Sequence, residues 1–261
     1  MINVSVVGDR GHGAGFPHLL DVYLEVCTSK SAATSSLRHL IQNHGGPAIL
    51  DCAVGTGFAV IDLLKEAKGF VCSDGSPDML AQFRANAVEV GVPNVPLHLN
   101  WQELGNVFPA MYDLVICRGN SLAYDSSWVM DTEPGTLADI QASLRGMYGC
   151  LQPGGRLYVD YPDVSSELAV EQSFNGHYRG QSVQIHETIE TGPGGVRRWT
   201  VRLRIGKDSH GFVRKSRALP RPVLAQLLLL AGFERVTEVH EMAKIRDHYG
   251  ALLAVKGANA E

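Results

Sequence analysis

No stretch of about 18 consecutive apolar residues occurs in this 261-residue chain, so no segment reads as a helix that crosses a bilayer. Basic charge is also short: 23 Lys/Arg stand against 27 Asp/Glu, a formal net charge of −4, which excludes a globally basic surface for nucleic acid. The five cysteines, at 27, 52, 72, 117 and 150, lack metal-type spacing, and several lie in apolar strand segments where cysteine acts as a small hydrophobe. The N-terminus lacks the basic-then-apolar order of a signal peptide. Together these absences predict a cytoplasmic protein without a membrane or nucleic-acid partner. A glycine-rich run over 8–15 lacks the Gly-Lys-Ser/Thr ending of a phosphate-binding loop, so residues 1–16 are expected to form a mobile leader.

What the chain does have is an acid-led glycine turn. Ala48 to Cys52 is a short apolar run that reads as a buried strand, and Phe58 to Ala67 reads as a helix with apolar Val60, Ile61, Leu63 and Leu64. Between them lies Asp51-Cys52-Ala53-Val54-Gly55-Thr56-Gly57. Two glycines without Cβ atoms let a ligand approach the backbone closely. Asp74 closes the next apolar segment, where a carboxylate can hold the two hydroxyls of a ribose. A dinucleotide turn carries a third glycine, but that position is Val60 here. Asp51 before the turn would repel a pyrophosphate and suits a ligand with an amino group and positive charge.

From Ala48 onward, strands (48–52, 69–73, 95–99, 112–118, 155–161) alternate with helices (58–67, 77–90, 136–150). That order predicts a parallel sheet covered by helices. Helices are also expected over 19–26 and 34–43, near the N-terminus, and over 220–231. Residues 181–218 change character: 182–190, 198–205 and 211–218 read as antiparallel strands around Gly192-Pro193-Gly194-Gly195, and strands 233–240 and 247–256 close the chain. The predicted fold is α/β, a doubly wound, mostly parallel seven-stranded sheet with a small antiparallel insertion. Its expected parts are leader and lid helices (1–46), an α/β core (47–178 and 219–257) and the insertion (179–218).

The turn resembles motif I of the class I S-adenosylmethionine (SAM) methyltransferases. Over about 20–256 the order of motifs is similar to the glycine/sarcosine N-methyltransferases. Five segments carry the likeness: Ile49 through Gly57; Ser73-Asp74-Gly75-Ser76-Pro77-Asp78-Met79-Leu80; Asn100-Trp101-Gln102-Glu103-Leu104; Asp113-Leu114-Val115-Ile116-Cys117-Arg118-Gly119-Asn120-Ser121; and Pro153-Gly154-Gly155. The resemblance implies SAM as cofactor. Ala53, Gly55 and Gly57 would bring backbone to its methionine part, and Asp74 with Gly75 would hold the ribose. Met79, Asn100 and Trp101 would surround the adenine, although Met79 and Trp101 are equally residues of an ordinary core. Cys117 would wall the pocket. Lys30 stands where the family has an arginine on the SAM carboxylate, and either binds it or is solvated. Tyr23 matches a family tyrosine facing the transfer site and Tyr124 falls where a pocket histidine is usual, or either is packed with its hydroxyl satisfied. Gly119 and Asn120 would orient an amine.

On the acceptor side the likeness departs. Pro162 stands where the family has a carboxylate-binding arginine, and Ser216-Arg217-Ala218-Leu219-Pro220-Arg221 replaces a Tyr-Tyr-Pro-His segment. An acceptor other than glycine is expected. Arg118, where the family has an apolar residue, either points into the acceptor pocket or forms a plain surface ion pair. Residues 196–221 hold nine Lys/Arg and one acid, Asp208, against 14 basic and 26 acidic residues elsewhere. Arg198, Arg202 and Arg204 share one strand face, which fits an acidic acceptor, an acidic partner surface or simple solvation.

SAM already carries an activated methyl, so the protein chiefly aligns the acceptor and excludes water. A neutral amine attacks without a strong base, whereas a phenol or carbon acceptor needs one, for which His177, His186, His240 and His248 are available. The expectation is N-methylation of a small amine that also bears an acidic group. O- or C-methylation, a nicotinamide oxidoreductase and a non-catalytic SAM-binding protein are the alternatives. Assembly into a homo-oligomer is compatible with the sequence.

Overall fold

Strong local signals start and stop the elements. In the computed structural model, which describes residues 15–66, 69–92, 95–127, 132–162, 169–240 and 249–258, the chain opens with α1 (Phe16–Cys27) and α2 (Lys30–His44). The expected leader lies almost wholly outside the described residues. Next come β1 (Ile49–Asp51), α3 (Val60–Leu64), β2 (Phe70–Asp74), α4 (Pro77–Glu89), β3 (Leu97–His98), α5 (Leu104–Val107), β4 (Tyr112–Cys117), α6 (Leu137–Cys150) and β5 (Leu151–Pro162). Ser76 caps α4 by accepting from the Met79 N–H at 3.4 Å, with Pro77 in the first turn. Thr136 and Asp139 cap α6 reciprocally, each side chain accepting the other's backbone N–H.

Four long strands follow: β6 (Ala169–Tyr178), β7 (Gln181–Thr191), β8 (Val196–Ile205) and β9 (Asp208–Arg217). The chain then returns through α7 (Arg221–Leu230), β10 (Arg235–Val239) and β11 (Tyr249–Val255). The main sheet runs β10-β11-β5-β4-β1-β2-β3. Its pairs are parallel except where β11 joins β10 and β5 antiparallel. Every residue of β1 is buried, as are five of the six of β4, as expected for central strands covered on both faces. The predicted seven-stranded doubly wound sheet is therefore observed.

A second, four-stranded sheet runs β6-β7-β8-β9, every pair antiparallel. It begins at Ala169, not at 179, because β6 adds a whole strand to the expected three. Its sequence, Ala-Val-Glu-Gln-Ser-Phe-Asn-Gly-His-Tyr, lacks the apolar alternation of a half-buried strand, and β6 sits at the sheet's edge. The inner face of this sheet packs on α1: Leu19, Val22 and Tyr23 meet Val183, Ile185, Val201, Leu203 and Phe212. On β8 the exposed parity is Arg198, Arg202 and Arg204, so the expected cationic face is turned outward. The opposite parity faces inward and carries Arg197 and Trp199 beside the apolar residues.

Candidate active site

A cavity of about 270 Å³ opens between the carboxyl ends of β1, β2, β4 and β5, helix α1 and the inner face of the second sheet. In open α/β sheets ligands bind at that carboxyl edge. Of the residues singled out from sequence, Tyr23, Ala53, Gly55, Asp74, Met79, Arg118, Gly119, Asn120 and Tyr124 all line it.

The main-sheet half of the cavity is built by local geometry. Gly55 has φ +55°, and nothing lies within 4 Å of where a Cβ would sit. Its N–H donates to Oδ2 of Asp74 at 2.8 Å, while the Ser76 N–H donates to Oδ1 at 2.9 Å. Each carboxylate oxygen thus has one backbone donor and retains lone-pair capacity for a ligand hydroxyl. Burial pushes the Asp74 carboxyl up to about 6, against the lowering effect of those two N–H groups. This is a fit for a ribose held by an ionised acid, beside the flexible thioether of Met79.

Gly57 serves a different purpose. It has φ +87°, and a Cβ there would overlap Ile61 and Phe83. Gly57→Ala is therefore expected to lower stability by about 2–4 kcal/mol, from left-handed strain plus overpacking. Gly55→Ala should lower it by only about 1–2 kcal/mol, the backbone term alone, yet weaken cofactor binding because the methyl enters ligand space. Thermal unfolding of both variants with and without S-adenosylhomocysteine checks this. Equal stability losses would contradict the division of roles.

Arg118 lines the cavity but is tied to motif I. Its Nε donates to Oδ2 of the wholly buried Asp51 at 3.0 Å, and Nη2 donates to the Phe58 carbonyl at 3.0 Å. Asp51 also accepts the Ala53 N–H at 3.1 Å, so this pair braces both ends of the glycine turn. Asp160 performs the equivalent task for the neighbouring loop, accepting the N–H groups of Gly119 and Asn120 at 2.7 Å each. Its carboxyl is pushed up to about 6 by burial, opposed by those N–H groups. Gly119 (φ +76°) and Asn120 (φ +56°) both adopt left-handed conformations, and Asp160 holds them there.

Six sequence candidates fall elsewhere. Trp101 is 2 % exposed and its indole N–H donates to the Cys52 carbonyl at 2.7 Å, so it packs beneath motif I within the core. Asn100 is exposed, its N–H bonded to Glu103 Oε2 at 3.0 Å. Cys117 is fully buried within the same core, and Gly75 presents its carbonyl to His98 Nε2 at 3.1 Å. Lys30 pairs with Asp62 at 3.4 Å and, with Gly57, borders a separate cleft beside α4.

Residues that the sequence reading passed over complete the other wall. Tyr23 donates its hydroxyl to Oε2 of Glu187 at 2.6 Å, and the Trp199 indole N–H donates to the same oxygen at 2.8 Å. Trp199 packs edge-on to Tyr23, with centroids 5.1 Å apart. Arg197 and Arg214 line the cavity at only 6 % exposure each. Strand parity was the available signal: Arg197 alternates in phase with Trp199, Val201 and Leu203, and Arg214 with Phe212 and Ser216.

A Rossmann-like sheet with an acid-led glycine turn and a ribose-type aspartate defines a protein built around an adenosyl cofactor. The methyltransferase-domain family matches residues 43–204, more than half of the chain. A glycine/sarcosine N-methyltransferase of Parasynechococcus marenigrum is 29 % identical over 203 residues, which are 76 % of this chain and 67 % of the relative. Matches to other curated relatives span less of them, 54 % for a glycine/sarcosine N-methyltransferase of Halorhodospira halochloris. Among solved structures, SAM-bound CalS10, an amino pentose methyltransferase from Micromonospora echinaspora, is similar at TM-score 0.69 and 19 % identity, with 95 % of this chain and 100 % of that chain covered. The sugar N-methyltransferase KedS8 from Streptoalloteichus is similar at TM-score 0.69 and 18 % identity, covering 98 % and 99 %. The chain belongs to the methyltransferase-domain family. It is a SAM-dependent methyltransferase.

Proposed function

We propose that this enzyme transfers the SAM methyl group to the nitrogen of a small amine that also carries an acidic group, and that glycine itself is not the acceptor. One observation carries the choice of nitrogen: among the described residues, no histidine lines the cavity. His177 borders the separate cleft, His186 contacts Ser173 and Glu171, His240 is exposed after β10, and His248 lies outside the described residues. The acids around the cavity are also engaged, Asp160 by the Gly119 and Asn120 N–H groups and Glu187 by Tyr23 and Trp199. A phenol or carbon acceptor needs a base to remove its proton, whereas a neutral amine already presents its lone pair.

SAM, when bound, supplies an electrophilic methyl on a sulfonium. The chain's own residues then do three things. Asp74 and Met79 hold the adenosine end, and the Asp51–Arg118 brace fixes the turn beside it. Asn120, set by Asp160, offers its side chain to an amine. Tyr23, pinned by Glu187, closes the site from α1 and excludes water. Pro162 is paired with Tyr249 in the main sheet and supplies no charge for a glycine carboxylate. Five free cysteines, four of them buried, support a reducing, cytoplasmic setting.

The test is incubation with methyl-labelled SAM and size-matched amines, alcohols and phenols, followed by mass spectrometry of the products. Label on acid-bearing amines is expected. Label on phenols or alcohols with none on amines would sink the reading.

A further inference from the structure

Two buried cations face the cavity without an ion-pair contact, and only the more distant Asp74 carboxylate attracts Arg214. Arg197 is only 6 % exposed, and its Nε has no hydrogen-bond partner. Arg214 is equally buried, and its Nε is likewise unpartnered. Among the described residues, neither forms an ion pair with a carboxylate. A desolvated guanidinium with no anion in contact is unfavourable, and a ligand oxoanion would supply that contact.

The two side chains are arranged to meet on one group. On adjacent strands β8 and β9, Trp199 pairs with Arg214 and Arg197 pairs with Ser216. Arg197 and Arg214 are therefore diagonal neighbours on the inner face, their roots about 7–8 Å apart, within reach of a shared partner for side chains this long. Arg214 is held in place: its Cζ lies 4.8 Å from the Phe16 ring centroid and 4.9 Å from that of Tyr124, and Nη2 donates to the Ser127 carbonyl. Ser216, 2 % exposed, lines the cavity between them and adds a hydroxyl. A planar guanidinium edge matches the paired oxygens of a carboxylate or phosphate.

We propose that Arg197 and Arg214, with Ser216, form an oxoanion subsite that holds the acidic group of the methyl acceptor. This rests on the reading of the cavity as a SAM site whose acceptor is an amine. It assigns the acid to the second sheet, on the wall facing Asp74 and Met79. The acceptor's amine then projects from that anchor toward Asn120 and Tyr23. A carboxylate and a phosphate or phosphonate share this chemistry.

The experiment is calorimetric titration of the S-adenosylhomocysteine-saturated protein with inorganic phosphate and, separately, with acetate. It is run on the wild type, Arg197→Gln and Arg197→Lys. Saturable binding of at least one anion is expected, weakened tenfold or more by Arg197→Gln and partly restored by Arg197→Lys. Which anion binds tighter distinguishes a tetrahedral from a planar acid group. S-adenosylhomocysteine affinity should stay within threefold in both variants, which reports folding and the cofactor site separately from the subsite. Should Arg197→Gln not fold, Arg197→Lys with a threefold or greater anion loss gives the same reading. The proposal is overturned if neither anion binds the complex, or if the variants bind anion as the wild type does. It is also overturned if S-adenosylhomocysteine affinity collapses in both folded variants, since the arginines would then hold the cofactor's own carboxylate.

Discussion

Asp74→Asn should weaken S-adenosylhomocysteine binding about 30- to 1000-fold while leaving a folded protein. The carboxylate receives one backbone N–H on each oxygen, from Gly55 and Ser76, and presents its remaining lone pairs to the ligand. Asparagine can replace one oxygen with an NH₂ group, which then faces a backbone donor and can no longer accept from a ribose hydroxyl. Loss of one hydrogen bond to a charged group and weakening of the other, together about 2–4 kcal/mol, set the size of the loss. The same residue imposes a pH dependence. Because burial lifts its carboxyl to about 6, Asp74 is ionised in the free protein at neutral pH and protonated below that. A protonated carboxyl accepts less well, so affinity should be flat above pH 7 and fall by up to tenfold per unit below about pH 6.

Stability of the unliganded protein runs the other way. A carboxyl raised on folding contributes stability that is fully present below its unfolded value of 3.8 and is lost as pH rises through about 6. S-adenosylhomocysteine should therefore stabilise the protein more at pH 7.5 than at pH 5. Asp160 titrates in the same window, so the Asp74→Asn protein is the control that isolates the cofactor term. A wild-type affinity independent of pH between 5 and 8 would contradict the role given to Asp74.

Arg118→Met should lower folding stability by about 3–5 kcal/mol, the largest loss expected for any one residue of the site. Asp51 is 0 % exposed, and without the guanidinium its buried charge retains only the Ala53 N–H. The Phe58 carbonyl loses its donor at the same time. For a chain of this size the melting midpoint should drop by about 10 °C. Replacing both partners, Asp51→Leu with Arg118→Met, should recover part of that loss, because the stranded charge is gone. Chemical denaturation of the single and double variants measures it. A single-variant loss under about 1 kcal/mol would mean that the pair behaves as an exposed one.

The main-sheet side of the cavity was legible because it is local. Motif I, Asp74 and Met79 lie on consecutive strand-to-helix turns, and the alternation of strands and helices alone puts those turns at one edge of the sheet. Trp101 misled for a physical reason: it follows β3 at that edge, but its indole turns beneath β1 to satisfy the Cys52 carbonyl. Lys30 is close to motif I in the fold, yet α2 directs it to Asp62 on the outside. The opposite wall was illegible because it joins α1 to strands more than 160 residues away, as in the Tyr23–Glu187 bond. Strand phase was nonetheless present. Arg197 is opposite in phase to the exposed Arg198, Arg202 and Arg204, which puts it inside.

A crystal structure of the protein with S-adenosylhomocysteine tests this account most directly. The account predicts the ribose hydroxyls on Asp74, the adenine against Met79, and the sulfur facing the space between Tyr23 and Asn120. Arg197 and Arg214 should still face unfilled volume. The ligand's carboxylate seated on Arg197 and Arg214 would contradict the division of the cavity into a cofactor half and an acidic-acceptor half.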